Sequence, residues 1–170
     1  MIKNTKSYDP NALINSTKFR DFVENFESEI IRGISTLSII SIINNHKEEG
    51  VYGYQLMKDL KKKTKNMLML EEGTLYPILR KLKKEGILKN ERKLVGGRAR
   101  NYYFITSEGI KTYHHLLGFF AKLVESLGPL LNLEVNIKEE RYFYCPNCSN
   151  RISRNKIDKK LCPICGYDIN

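Results

Sequence analysis

The sequence predicts a mainly α-helical chain with a small β wing, on three observations. An amphipathic helix near Gly73–Lys84 runs directly into a glycine-centred hairpin, a heptad-spaced apolar run follows over 107–127, and two Cys-x-x-Cys pairs lie near Asn170. The first makes a reading head, the second a packing rod, and the third a small metal-bound module.

In the helix, Leu75, Ile78, Leu79 and Leu82 recur at helical spacing and share one stripe. A turn of about 100° per residue sets Pro77, Arg80 and Lys84 opposite, with Tyr76 and Lys83 on one shoulder and Thr74 and Lys81 on the other. The outer face is therefore cationic. Pro77 falls early in the helix, and the carbonyl that its ring would crowd belongs to Gly73. Gly86 supplies the stop. Beyond it, Ile87–Val95 and Arg100–Thr106 read as strands, joined through Gly96 and Gly97, whose backbone freedom suits a tight turn. Arg98 and Arg100 then carry charge at the hairpin tip, where a phosphate backbone or a minor groove would meet it.

Upstream, Tyr52–Thr64 reads as a preceding helix with Gly53, Leu56, Met57 and Leu60 inward and Lys58, Lys61, Lys62 and Lys65 outward, and residues 66–71 as the connecting turn. Helix, turn, helix and hairpin together make a winged helix-turn-helix, whose second helix fits a major groove while the first crosses the backbone. Lysines on a helix often only solvate a surface, but here helix, wing and charge coincide in position.

Charge supports this. Of the net charge of +10, residues 47–100 contribute +8, against 0 for residues 1–46, −2 for 101–140 and +4 for 141–170. Basic excess concentrated on the reading head expects a polyanionic partner, duplex DNA. The absence of a run of about eighteen apolar residues argues against a membrane span. Met1–Pro10 has no apolar secretion core, so a cytoplasmic protein with reduced cysteines is expected.

After Thr106, a candidate N-cap with Glu108 in the first turn, a long helix should reach about Leu127, ahead of Gly128 and Pro129. Ile110, Tyr113, Leu117, Phe120, Val124 and Leu127 alternate spacings of three and four, a coiled-coil seam, and Leu116, Phe119 and Leu123 widen it. One small domain covers such a face incompletely, so a second copy is its natural cover, although packing on its own domain would give the same periodicity. Phe19, Phe22, Val23, Phe26 and Ile30 read as one or two helices leading into Ile34, Leu37, Ile40 and Ile43, assigned to the core. Met1–Asn15 shows no periodicity and reads as a mobile arm.

Cys145-Pro146-Asn147-Cys148 and Cys162-Pro163-Ile164-Cys165-Gly166 are two knuckles separated by 13 residues. Two knuckles aiming four thiolates at one ion suit tetrahedral structural Zn²⁺, one per chain, and the pattern resembles a zinc ribbon with Tyr142–Tyr144 as its entering strand. Disulfides, redox sensing and rubredoxin-like iron are the alternatives. The expected division is an arm and helix over 1–29, a winged-helix domain over 30–106, a dimerisation helix over 107–131, a strand or linker over 132–143, and the ribbon over 144–170.

The stretches Tyr52-Gly53-Tyr54-Gln55-Leu56, Gly73-Thr74-Leu75-Tyr76-Pro77-Ile78-Leu79 and Gly96-Gly97-Arg98-Ala99-Arg100-Asn101-Tyr102-Tyr103 resemble the PadR family of winged-helix regulators, in register over roughly residues 30–128. The resemblance implies a dimeric DNA-binding regulator, usually a repressor, whose helix after the wing builds the dimer. On that reading Arg80 and Lys81 reach base edges or phosphates, Thr74 and Tyr76 position the helix, Lys58 and Lys62 neutralise phosphates, Lys84 joins the DNA-binding set, and Arg98 with Arg100 holds the wing on the backbone. A winged helix followed by a zinc ribbon is also similar to the alpha subunit of transcription factor E, a general component that touches polymerase. An enzyme is not expected, because no general base, open metal position or nucleotide-binding glycine motif accompanies the cysteines. The residues name no small-molecule inducer and no protein partner.

Overall fold

The computed structural model describes residues 17–134, 142–148, 151–153 and 161–169. The expected arm over Met1–Asn15, and most of the segment over 132–143, lie outside them. Two compact units are present, one ending at Thr106 and one beginning at Ser107.

The first unit opens with α1 (Thr17–Asn45), one continuous helix where the sequence allowed one or two. Only its C-terminal half enters the core: Ile39, Ile40, Ile42 and Ile43 are buried, whereas Ile34 and Leu37, expected there, are half-buried, and Phe22, Phe26 and Ile30 are exposed. A 29-residue helix spans more than 40 Å at about 1.5 Å per residue, longer than a small domain can cover. The N-terminal half therefore extends past the core.

Val51–Tyr52 form a short strand, β1, pairing antiparallel with residues 102–103. Tyr52, read from sequence as the start of a helix, is instead extended (φ −97°, ψ 159°), and α2 (Gly53–Lys63) begins one residue later. A two-residue strand leaves no period to read. Gly50 precedes it at φ +74°, directly against the Phe104 ring. The surrounding turn is clamped from two sides: His46 contacts Glu49 at 2.5 Å and Asp59 of α2 at 3.0 Å, and the Lys93 ammonium donates to the Glu49 carbonyl at 3.2 Å.

A turn with Lys65 and Asn66 in the left-handed region joins α2 to α3 (Glu72–Lys84). Leu75, Leu79 and Leu82 of α3 are buried, each contributing about 1.5–3 kcal/mol of apolar burial. Glu72 in the first turn and Lys81, Lys83 and Lys84 in the last complement the helix dipole. The stop expected at Gly86 takes the form of a Schellman motif: Gly86 N–H bonds to the Lys83 carbonyl, Ile87 N–H to that of Leu82, and Gly86 sits at φ +73°.

Strands β2 (Leu88–Val95) and β3 (Arg98–Ile105) form the wing, and the sheet runs β1-β3-β2. Val95 pairs with Arg98, so Gly96 and Gly97 are a two-residue loop with φ of 59° and 75°, a type I′ geometry that suits strand twist. Arg98 lies inside the ladder rather than in the turn, two residues earlier than the strand start read from the sequence. The Thr106 hydroxyl donates to the carbonyls of Gly86 at 2.7 Å and Ile87 at 3.2 Å, tying the end of the wing to the end of α3.

The second unit contains α4 (Ser107–Leu127) and a small ribbon of β4 (Tyr142–Tyr144) paired with β5 (Arg151–Ser153). Tyr142–Tyr144 is the entering strand the sequence indicated. Cys145, Ile152 and Cys162 are buried, with Phe143, Cys148, Ile164 and Ile169 packed around them. Such a core is too small to hold a fold on apolar burial alone.

Candidate nucleic-acid interface and metal centre

The outer face of α3 is solvent-exposed along Tyr76, Pro77, Arg80, Lys81, Lys83 and Lys84, while its inner face is sealed. Lys58 and Lys62 are exposed on α2, Arg98 is exposed at the tip of the wing, and Thr74 is half-buried at the start of α3. Among these, Arg80 is set beside the sheet. The Tyr103 phenol is pushed up by burial and further by Tyr76, with Arg80 opposing, which places Tyr76, Arg80 and Tyr103 together where α3 meets β3.

Tyr76 fits there because residue 53 is glycine. A Cβ at Gly53 would stand 2.8 Å from the Tyr76 hydroxyl and 3.1 Å from its ring. The start of α2, the start of α3 and the wing thus converge on a cleft of about 390 Å³, lined by Tyr54 and Tyr76 from the helices and by Arg98, Arg100 and Asn101 from β3. Tyr54 is 65% exposed. Tyr54 and Asn101 lie in the family-like stretches but carry no site role in the sequence reading; they join the site because the short pairing of β1 sets the start of α2 against β3.

Arg100 is half-buried, with its guanidinium 4.5 Å over the Tyr52 ring. Its strand neighbours continue the pattern: Lys93 lies 5.0 Å over Tyr102 and 4.6 Å over Phe104, and Lys89 5.5 Å over Phe104. These alternating cations and rings brace the hairpin, each contact adding about 0.5–1 kcal/mol. Tyr52→Leu removes the ring beneath Arg100, and amides 98–101 are expected to exchange several-fold faster in hydrogen-exchange measurements. Unchanged protection would show that the stacking does not stiffen the wing.

On α4, Ile110, Tyr113, Leu117 and Val124 are half-buried, and Phe120 and Leu127 exposed. Phe119 and Leu123 are more exposed still, at 54% and 40%.

The four cysteines converge. All four Sγ atoms lie within 4.8 Å of one another, with Cys145–Cys165 and Cys148–Cys162 each at 3.6 Å. A tetrahedral ion with bonds of about 2.3 Å needs sulfurs about 3.8 Å apart, so the cluster could hold one metal ion. The second knuckle is closed by Gly166, at φ +72°, donating to the Cys162 carbonyl at 2.9 Å, and by Cys162 N–H donating to the Tyr167 carbonyl at 2.8 Å. A hydrogen bond with the Asn147 side chain, and then one with the Tyr167 backbone, lower the Cys165 thiol to about 6; burial pushes the Cys145 thiol up. His115 of α4 meets the ribbon through its Nδ1, which donates to the Cys148 backbone carbonyl.

The model of the transcriptional regulator PadR-like family matches residues 39–115, from the buried end of α1 through the wing into α4. Protein X of Lysinibacillus sphaericus is 31% identical over 99 residues, 58% of this chain and 88% of its own length. The chain belongs to the PadR-like family of transcriptional regulators. Transcriptional regulator Rv3488 of Mycobacterium tuberculosis is 33% identical over 70 residues, 41% of this chain, which spans 63% of that protein. Among solved structures, the PadR family transcriptional regulator of Eggerthella lenta is 28% identical at a TM-score of 0.58, covering 70% of this chain and all of that one. A transcriptional regulator of Clostridium thermocellum is 31% identical at 0.50, covering 61% and 95%. The PadR-like match ends at residue 115, ahead of both cysteine knuckles. Among the described residues, no helix is long and apolar enough to cross a membrane.

Proposed function

We propose that this PadR-like regulator is a homodimeric, sequence-specific DNA-binding repressor that occludes promoters. One observation carries the reading: α3 seals one face with Leu75, Leu79 and Leu82 while offering Arg80, Lys81 and Lys84 on the other, beside a wing that ends in exposed Arg98. Arg80 and Lys81 reach base edges or phosphates in a major groove, Lys58, Lys62 and Lys84 neutralise phosphates, and Thr74 and Tyr76 fix the helix. Arg98 grips the adjoining backbone, and Arg100, stacked on Tyr52, stiffens the hairpin behind it. Ile110, Tyr113, Leu117, Phe120, Val124 and Leu127 form the seam with a second copy, setting two α3 helices on the half-sites of a pseudo-palindrome. Family membership supports this over a polymerase-bound general factor. Selection of bound duplexes from a random pool tests it: a two-fold symmetric consensus is expected, and recovery of unselected sequence alone would overturn it.

The cysteines hold one structural Zn²⁺ per chain, supported by four thiolates with sulfur spacings suited to a tetrahedral ion and a ribbon with little core of its own. Zinc supplies the cross-link that ties the two knuckles together. Elemental analysis is expected to give one zinc per chain, and a chelator to unfold the ribbon. Zinc-free protein with an intact ribbon would refute the assignment.

A further inference from the structure

The ribbon is built onto α4. Besides the His115 contact with the Cys148 carbonyl, the Tyr144 hydroxyl donates to the Glu125 carboxylate at 2.9 Å, and β5 packs on the helix. Tyr144 immediately precedes the first knuckle and Cys148 closes it, so both anchors act on the segment carrying two of the four thiolates. Turning about 100° per residue, His115, buried Gly118 and Glu125 occupy one arc of α4 spanning about 80°. The exposed side chains Phe119, Phe120, Leu123 and Leu127 are centred about 130° away from it. The knuckle thus braces the helix from behind and leaves its apolar face open.

We propose that this makes the protein metal-responsive: Zn²⁺ on Cys145, Cys148, Cys162 and Cys165 fixes the first knuckle on α4 and thereby sets the order of the helix that presents Phe120 and Leu127 of the proposed seam, widened by Phe119 and Leu123, for self-association. The inference rests on the zinc reading above. It follows from linkage, because a knuckle that the ion organises and the helix holds must couple the two, and each strengthens the other by the same factor. His115 and Glu125 are positioning residues. They touch no metal, but they orient the chain that carries its ligands, and loss of such outer partners weakens metal affinity about tenfold or more.

The full-length chain is tested by hydrogen exchange across 111–126 with zinc bound and after chelation, and by zinc affinity in competition with a chromophoric chelator. In the wild type, chelation is expected to speed exchange in α4 at least about tenfold. His115→Ala should weaken zinc about tenfold and exchange faster even when loaded, and His115→Gln, which restores an N–H donor, should recover part of both. Tyr144→Phe, which removes only a hydroxyl, should move both readouts in the same direction by a smaller factor. Protein that binds one zinc per chain but shows identical α4 exchange with and without it overturns this inference alone, as does unaltered zinc affinity in His115→Ala. Protein that takes up no zinc overturns the metal reading and this inference together.

Discussion

Alanine at Arg80, Lys81 and Lys84 together is expected to lower affinity for a selected operator on the order of a hundredfold or more, with no loss of fold. The three side chains are exposed on the face opposite the buried Leu75, Leu79 and Leu82, so truncation leaves those leucines in place. If each neutralises one phosphate, the slope of log affinity against log salt falls by about 0.9 per contact, close to 2.7 in all. Arg98→Ala alone should remove about 0.9. A residue that reads a base edge behaves differently: its loss relaxes preference at one position by about 1–3 kcal/mol and changes the slope little. Single substitutions therefore sort Arg80 from its neighbours. A triple variant with the parental slope and affinity would remove α3 from the interface.

The second large effect concerns stability. Gly50→Ala is expected to destabilise the winged-helix unit by about 2–5 kcal/mol, from two sources. An L side chain in the left-handed region costs about 1–2 kcal/mol, and crowding a packed core adds about 1–3. Both apply here, since Gly50 sits at φ +74° and a Cβ would stand 2.5 Å, 2.7 Å and 2.9 Å from three carbons of the buried Phe104 ring. Urea unfolding measures the sum, and Gly50→Ala with Phe104→Leu should recover much of the crowding cost but none of the backbone cost. A Gly50→Ala midpoint within experimental error of the wild type would mean that the turn relaxes freely.

The site was legible in sequence wherever a period or a spacing carried it. Leu75, Leu79 and Leu82 declared the buried face of α3 and hence the cationic one, Gly86 declared its end, Gly96-Gly97 the hairpin, and two Cys-x-x-Cys pairs the thiolate cluster. Less legible was anything made by contact between distant segments. Strand β1 is two residues long and exists because β3 offers it an edge. Tyr54 and Asn101 entered the cleft through that pairing. His115 and Cys148 are 33 residues apart and meet through a backbone carbonyl, which no side-chain pattern encodes.

What the sequence by itself determined was the local grammar: which helix face is apolar, where helices stop, where the chain reverses, and which four residues can hold a metal. These follow from periodicity, backbone freedom and ligand chemistry acting over a few neighbouring residues. Only the tertiary structure decided that Tyr76 rests on Gly53, that Arg100 lies over the Tyr52 ring, and that the ribbon is fastened to the rear of α4. Each of these depends on close approach between groups far apart in the chain. Packing selects such approaches from many that the same local pattern would allow.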